Sequence, residues 1–169
     1  AKLSNRGWLE EIARDSSINI RDALFGGRTE VFKRYFKCSE GQKVYYFDVV
    51  SLYPTVNALD YYAVGYGSYR AYKTADDFVN ALLNYKFFGV AKVDVEPPKD
   101  LYVPVLPDNS DKKLMFHLKP MQEKTFASVE LKLAVEKGYK ITKVYSALHY
   151  NKYQGLMHKY VEFLLDMKI

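Results

Sequence analysis

Cysteine is nearly missing from this sequence: Cys38 is the single thiol among 169 residues. One cysteine cannot form a disulfide within the chain, so a disulfide-stabilised secreted scaffold is excluded, and a reduced thiol fits a reducing compartment. Long apolar runs are also missing, and no segment approaches the length of a membrane-spanning helix. We therefore expect a protein that is not secreted, has no membrane partner, and acts in the nucleus or the cytoplasm.

The overall composition is that of a globular domain, with 49% hydrophobic and 27% charged residues. The length is sufficient for one domain with a hydrophobic core. A net charge of +5 favours an anionic partner such as nucleic acid, although many basic proteins bind none. Sixteen tyrosines and ten phenylalanines could stack on bases, but most of these rings are expected to lie in a core.

Mixed helix and strand patterns predict an α+β fold, with a mostly antiparallel sheet and flanking helices. The predicted helices are 7–17, 52–59, 74–84, 125–137 and 153–168. The predicted strands are 30–36, 43–49, 87–95, 113–118 and 140–150, with a short extended piece at 101–106. Two glycines, Gly65 and Gly67, favour a loop over residues 61–72.

The most informative segment is 47–54, where an apolar, aromatic strand ends in a carboxylate and a helix starts at once. Its sequence is Phe47-Asp48-Val49-Val50-Ser51-Leu52-Tyr53-Pro54. A carboxylate buried at a strand end is costly unless it is paired, hydrogen bonded or bound to metal. The arrangement brings one carboxylate, the backbone groups of a turn and one ring to a single edge, which suits phosphoryl chemistry with divalent metals.

This segment resembles motif A of family B DNA polymerases, whose pattern Asp-x-x-Ser-Leu-Tyr-Pro is present with all five fixed residues. Other segments, in the family's order, look like its protein-primed branch, which serves Maverick or Polinton transposons, linear plasmids, adenoviruses and some phages. These segments are the Gly-Gly element at 25–30, the palm strand and loop at 89–107, the pre-fingers helix at 125–139 and the helix end at 163–168.

The resemblance implies a role for each residue at the start of motif A. Asp48 would be catalytic and would bridge two divalent cations, Mg²⁺ or Mn²⁺. The carbonyl of Val49 would be a backbone ligand of the ion on the nucleotide side. Val50, Ser51 and Leu52 would bind the triphosphate of a deoxynucleotide, with backbone N–H groups at the helix start facing the phosphates.

Tyr53 would lie under the incoming sugar, where a rigid ring clashes with a ribose 2′-hydroxyl; core packing is the alternative role. Gly26 and Gly27 would let the backbone approach template phosphate, and Arg28 would add positive charge. An ordinary turn explains these three residues nearly as well. Ser51 can also be the N-cap of the helix, and this role is compatible with nucleotide binding.

The resemblance further implies a fragment of a larger polymerase. Residues 1–25 would connect to a missing upstream module, and 26–169 would be a partial palm domain. The sequence contains no fingers motif, no second catalytic Asp-Thr-Asp element and no three-motif exonuclease, so the fragment alone is expected to be nearly inactive. Its expected partners are a DNA primer–template, deoxynucleoside triphosphates, the rest of the polymerase and a terminal protein primer.

Two other functions remain open from the sequence. A non-catalytic nucleic-acid-binding module derived from a palm would keep the fold and the basic surface without turnover. A metal-dependent nuclease would combine Asp48 with Asp94 and Glu96, because Asp-x-Glu on a strand is also the first motif of family B 3′–5′ exonucleases. The three histidines are too widely spread for a metal-ligand pattern: His117, His149 and His158.

Overall fold

The computed structural model describes residues 18–110 and 113–167. The strands are β1 (Tyr61–Tyr69), β2 (Gly89–Glu96), β3 (Pro107–Asp108), β4 (Met115–Phe116), β5 (Met121–Ala127) and β6 (Lys140–Gln154). The main sheet has four of these strands in the order β1-β6-β2-β5, and a separate two-stranded ribbon pairs β3 with β4. The helices are α1 (Leu52–Leu59), α2 (Ala75–Leu83), α3 (Ser128–Glu136) and α4 (His158–Asp166), with a 3₁₀ turn at Ile20–Ala23. Because β2 pairs antiparallel with both β5 and β6, the predicted α+β class is confirmed. The helix predicted at 7–17 lies outside the described residues.

The chain divides into two compact units. The first contains the described residues up to Gly26 together with Ala63–Asn151, and the second contains Gly27–Tyr62 and the described residues from Lys152 onward. No helix in the described part of the chain is long and apolar enough to cross a bilayer.

The core of the first unit forms on the face of β2 where every second residue points inward. Ala91, Val93 and Val95 are at most 1% exposed, whereas Lys92 and Asp94 between them are only partly buried. This period of two is the signature of a strand with one covered face. Phe78 of α2 and Phe126 of β5 are fully buried in the same cluster, which also includes residues of α3 and β6.

Helix α2 begins where its capping sequence predicts. The Thr74 side chain accepts a hydrogen bond from Asp77 N at 3.1 Å, and the Asp77 carboxylate accepts one from Thr74 N at 3.2 Å. This reciprocal capping box satisfies two amides that a helix start would otherwise leave unpaired. The predicted helix is therefore confirmed at its N-terminus and ends within a residue of the prediction.

The loop predicted over 61–72 was wrong, because most of it is strand β1. Gly67, one of the two glycines that favoured a loop, is needed in the strand: a Cβ there would lie 2.8 Å from side-chain atoms of both Leu148 and Tyr150. The predicted helix 125–137 was also too long. Its first three residues belong to β5, a strand that the sequence prediction missed, and α3 begins at Ser128.

The second unit contains α1 and α4, which pack together with Ala58 and Val161 as their buried residues. The predicted α1 is confirmed at both ends. The strands predicted at 30–36 and 43–49 were wrong: neither segment has a ladder partner among the described residues. The turn between them is present, with Gln42 N donating to Ser39 O at 3.0 Å.

Candidate functional site

The start of α1 presents backbone amides that no side chain caps. Ser51 is at the N-cap position in the left-handed region, with φ 53°, and its side chain makes no capping hydrogen bond. The first hydrogen bond of the helix runs from Thr55 N to Ser51 O at 2.9 Å. The N–H groups of Leu52 and Tyr53 precede it, and Pro54 has no N–H. A helix start of this kind can bind an anion through its amides and its dipole.

The backbone at Ser51 is strained. A left-handed conformation costs a non-glycine residue roughly 1–2 kcal/mol, because Cβ approaches the following carbonyl oxygen. Strained residues are found preferentially at functional sites. The predicted turn before the helix is present, with this strained residue in it. The predicted capping role of the Ser51 hydroxyl is wrong, because its side chain makes no capping hydrogen bond.

Asp48 is exposed, which corrects the expectation of a carboxylate at a buried strand end. The neighbouring Phe47 and Val49 are 85% and 65% exposed. The reason is local: segment 43–49 has no strand partner in the described part of the chain, so nothing covers its side chains. Because Asp48 is exposed to solvent, a charge on it carries no burial cost in this arrangement.

Asp48 and Val49 fit a divalent metal in kind, since a carboxylate and a carbonyl are the hard oxygen donors that Mg²⁺ prefers. Two ligands are too few to hold the ion. Among the described residues, no three His, Cys, Asp or Glu side chains come together to hold a metal ion. A two-metal centre therefore needs carboxylates beyond those that the described residues bring to Asp48.

Tyr53 and Gly27, predicted to contact the sugar and the template respectively, lie near each other. The Tyr53 hydroxyl is 4.0 Å from the point that a Cβ on Gly27 would occupy. Tyr53 is 77% exposed, so the alternative role in core packing is wrong for this structure. A Cβ on Gly26 would meet no atom of the described residues within 4 Å.

Arg28 is engaged by an acidic neighbour. Its Nε donates to Glu30 Oε2 at 2.8 Å, and a terminal guanidinium nitrogen forms an ion pair with the same oxygen. The guanidinium carbon also lies 5.5 Å from the centroid of the Phe32 ring. A phosphate at Arg28 would therefore have to share the guanidinium with Glu30.

The sequence from residue 4 to residue 169 matches the family described as DNA polymerase type B, organellar and viral. The match includes the motif A segment and nearly all of the chain. The chain belongs to this family. It is a region of a type B DNA polymerase, an enzyme class that acts on DNA and deoxynucleotides and generally uses divalent metal ions. Neither a curated protein nor a solved structure matches the chain.

In this polymerase chain, Asp94 has a structural role that the nuclease hypothesis did not foresee. Its Oδ1 accepts from Glu123 N at 2.8 Å, and its Oδ2 accepts from Tyr145 OH at 3.1 Å. Both partners lie where the pairing of β2 with its neighbours is irregular, and Glu123 has a positive φ of 51°. Because both oxygens hold these bulges in place, the nuclease hypothesis gains no support from the described residues.

A buried carboxylate of the polymerase, Asp108, was not singled out by the sequence. It is 8% exposed and accepts hydrogen bonds from Ser110 Oγ at 2.6 Å, Lys124 Nζ at 2.9 Å and His117 Nε2 at 3.0 Å. Burial alone would raise the pKa of Asp108, but these hydrogen bonds outweigh it and hold the pKa well below the usual range. The Asp-x-Ser spacing indicates a local turn, but no sequence signal indicates the distant Lys124.

The histidines of the polymerase chain are each engaged separately. His117 Nδ1 accepts from Lys119 N at 3.3 Å, and its Nε2 lies 3.0 Å from Asp108 Oδ2. His149 Nδ1 accepts from Phe88 N at 3.2 Å; burial, with Arg70 nearby, lowers the pKa of His149. His158 lies 3.1 Å from Glu162 on the surface of α4.

Proposed function

We propose that this chain contains part of the palm domain of a protein-primed DNA-directed DNA polymerase, and that Asp48 is one of its catalytic, metal-binding carboxylates. One observation carries the proposal. The residues of motif A stand on an exposed turn that leads into an uncapped helix, inside a chain that matches the polymerase family over 4–169. Residues 1–25 would connect to an upstream module, and 26–169 would form part of the palm.

The helix start is the proposed binding site for the triphosphate of the incoming deoxynucleotide. The left-handed Ser51 turns the chain so that the amides of Leu52 and Tyr53 precede the first helical hydrogen bond. Amides at a helix N-terminus suit phosphate oxygens. The backbone from Val50 to Leu52 would hold the triphosphate, and the Asp48 carboxylate and the Val49 carbonyl would hold the cation that accompanies it.

The ring of Tyr53 is the proposed sugar selector. It is largely exposed and is therefore available to a ligand, and its hydroxyl lies near Gly27. A ring that meets the sugar of the incoming nucleotide would clash with a ribose 2′-hydroxyl. The absence of a side chain at Gly27 would let template backbone approach the same ring, with Gly26 and Arg28 beside it.

The proposed reaction is nucleotidyl transfer. A primer 3′-hydroxyl, or a hydroxyl of a terminal protein at initiation, attacks the α-phosphorus of the deoxynucleotide. A phosphorus–oxygen bond forms to the hydroxyl oxygen, whose O–H bond breaks and releases its proton to solvent. The bond between the α-phosphorus and the bridging oxygen breaks, and pyrophosphate leaves. Bound divalent cations supply charge neutralisation of the phosphates. Since the described residues bring together no group of three side chains that could hold a metal ion, little turnover is expected from the chain alone.

Nucleotide binding tests this proposal directly. Fluorescent dATP should bind the wild-type chain in the presence of Mn²⁺ and a primer–template, and binding should fall at least tenfold in Asp48→Asn, because the cation that bridges protein and triphosphate is lost. The matched control is Asp60→Asn, which removes an exposed carboxylate at the other end of α1. Equal dATP binding by Asp48→Asn and wild type would reject Asp48 as a metal ligand.

A second candidate is a non-catalytic nucleic-acid-binding module derived from a palm. It is favoured by the lack of a complete metal site, since the described residues contribute no cluster of three potential metal ligands. In that case, duplex binding would be independent of metal and unchanged in Asp48→Asn, with a steep dependence on salt. Deoxynucleotide would then have no effect on DNA binding.

A further inference from the structure

The turn between β6 and α4 contacts the C-terminal end of α1. Gln154 Nε2 donates to the carbonyl of Leu59 at 3.2 Å, and Gly155 N donates to the backbone carbonyl of Asp60 at 3.0 Å. The last carbonyls of an α-helix have no partner within the helix and need one elsewhere. The partner of Leu59 lies 95 positions away in the chain, so this turn ties α1 to a distant segment of the second unit.

Gly155 is the residue that this turn requires. Its φ is 66°, in the left-handed region that favours glycine. A Cβ on Gly155 would lie 3.2 Å from the backbone oxygen of Ala58, which is closer than an ordinary van der Waals contact. The carbonyl of Gly155 accepts from His158 N at 3.0 Å, at the start of α4. One glycine therefore connects the end of α1 to the start of α4.

Helix α1 depends on these contacts because it is short. Its eight residues span about 12 Å, and a helix of two turns is marginal by itself in water. Its start is not capped by the side chain of Ser51, and Tyr53 is largely exposed. Its buried residue, Ala58, and both hydrogen bonds from the turn lie at the opposite end. The order of the helix is therefore set mainly from its C-terminus.

We propose that Gln154 and Gly155 are positioning residues for the nucleotide site. They hold the C-terminal end of α1, and the helix in turn keeps the N–H groups of Leu52 and Tyr53 directed at one point. If the end of so short a helix frays, the amides at its start lose their common direction. Neither positioning residue touches the nucleotide. This inference rests on the proposed function, in which the start of α1 binds the triphosphate.

Binding of fluorescent dATP, with Mn²⁺ and a primer–template, tests the inference. Gln154→Ala is expected to weaken binding about 2- to 10-fold, the effect of one ordinary hydrogen bond. The loss is expressed as affinity because only the chains with a formed α1 are competent to bind. Gly155→Ala should weaken binding at least as much, since its Cβ would displace the end of α1.

Two further substitutions at Gln154 separate the hydrogen bond from a loss of side-chain bulk. Gln154→Glu has the same shape but removes the donor and adds a negative charge at a helix C-terminus, so it should bind no better than Gln154→Ala. Gln154→Lys restores a donor with a favourable charge there and should bind within about twofold of wild type. Asn151→Glu, the same change of charge at an exposed position of β6, is the matched control and should bind like wild type.

Hydrogen exchange without metal or nucleotide provides a readout that is independent of binding. In Gln154→Ala, amides of Thr55–Leu59 should exchange about 2- to 10-fold faster than in wild type, matching the loss of affinity. Amides of β2 in the first unit should exchange at the wild-type rate. Equal acceleration in both regions would show a general loss of stability and would reject a positioning role.

The inference and the proposed function can fail separately. A loss of dATP binding in Asp48→Asn with none in Gln154→Ala would reject the positioning role alone. A loss in Gln154→Ala, restored in Gln154→Lys, with none in Asp48→Asn would support the positioning role and reject Asp48 as a metal ligand. An equal loss in Gln154→Glu and Asn151→Glu would reduce the effect to surface charge and reject the positioning role. A wild-type chain that binds no dATP would reject the proposed function and the positioning role together.

Discussion

At the scale of single residues, the two aspartates that matter most differ in surroundings. Asp48 is exposed and has a charge that is free to meet a ligand, whereas Asp108 is buried with its charge met by three side chains. Motif A could be predicted from the sequence because its pattern is contiguous. The Asp108 cluster could not, because Lys124 is 16 residues away and nothing local indicates that it will return to Asp108.

The Asp108 cluster predicts a pH-dependent stability. Asp108→Asn is expected to lower the free energy of unfolding by about 1–3 kcal/mol at pH 7, the usual value for hydrogen bonds to a charged group. Because the folded-state pKa is depressed, this contribution is fully present above the unfolded-state pKa, near 4. It is lost as the pH falls below that value towards the folded-state pKa.

Urea denaturation at pH 7, 5 and 3 measures this effect. The difference between wild type and Asp108→Asn should be similar at pH 7 and 5 and smaller at pH 3. Asp100→Asn, at an exposed loop position, is the control and should show no comparable difference. A gap that stays constant down to pH 3 would contradict the assigned depression of the Asp108 pKa.

At the scale of helices and strands, the sequence predicted correctly those elements whose ends depend on residues close in the chain. Helices α1 and α2 were placed correctly because their start signals, the turn before Leu52 and the capping box at Thr74, lie within a few residues. Strands depend on partners that are distant in the chain, and the sequence both missed a strand and predicted one that does not form. Residues 61–69 form a strand despite two glycines, whereas 43–49 has a strand-like sequence and finds no partner in the described residues.

Strand β1 owes its close approach to β6 to one glycine, and Gly67→Ala tests this. The added Cβ would lie 2.8 Å from Leu148 and Tyr150 side-chain atoms, and Leu148 is buried and has little room to move. Overpacking of this kind is expected to lower the free energy of unfolding by about 1–3 kcal/mol. Urea denaturation provides the measurement.

Two companion variants separate a steric cost from other causes. Gly26→Ala places its Cβ in open space and should change the free energy of unfolding by less than about 0.5 kcal/mol. Shortening the clashing neighbour, in the double variant Gly67→Ala with Leu148→Ala, should cost less than the sum of the two single changes. Strict additivity would show that the clash is not the cause.

At the scale of the whole molecule, the two units differ in how much core each contains. The first unit has a continuous buried cluster that joins α2, α3 and three strands. Among the described residues of the second unit, Ala58 and Val161 are the buried ones, and the unit contains the exposed apolar segment 44–50 and the motif A turn. Large exposed apolar patches mark contact surfaces. The proposed catalytic residue, Asp48, thus lies on the unit whose described residues form the smaller buried core.

Hydrogen exchange of the chain should reveal this difference. Amides of β2, β5 and β6 have ladder partners and border the buried cluster, so their exchange is expected to require global unfolding of the first unit. Amides of 43–50 lack ladder partners in the described residues and should exchange within the first time points, at least about 1,000-fold faster, since local opening there breaks no core. Mass spectrometry of peptic peptides resolves the two regions.

The internal control is α2, which is capped and buried and whose amides should exchange as slowly as those of the strands. Protection over 43–50 equal to that of β2 would show that the segment is paired in the free chain, and Asp48 would then stand at the end of a formed strand.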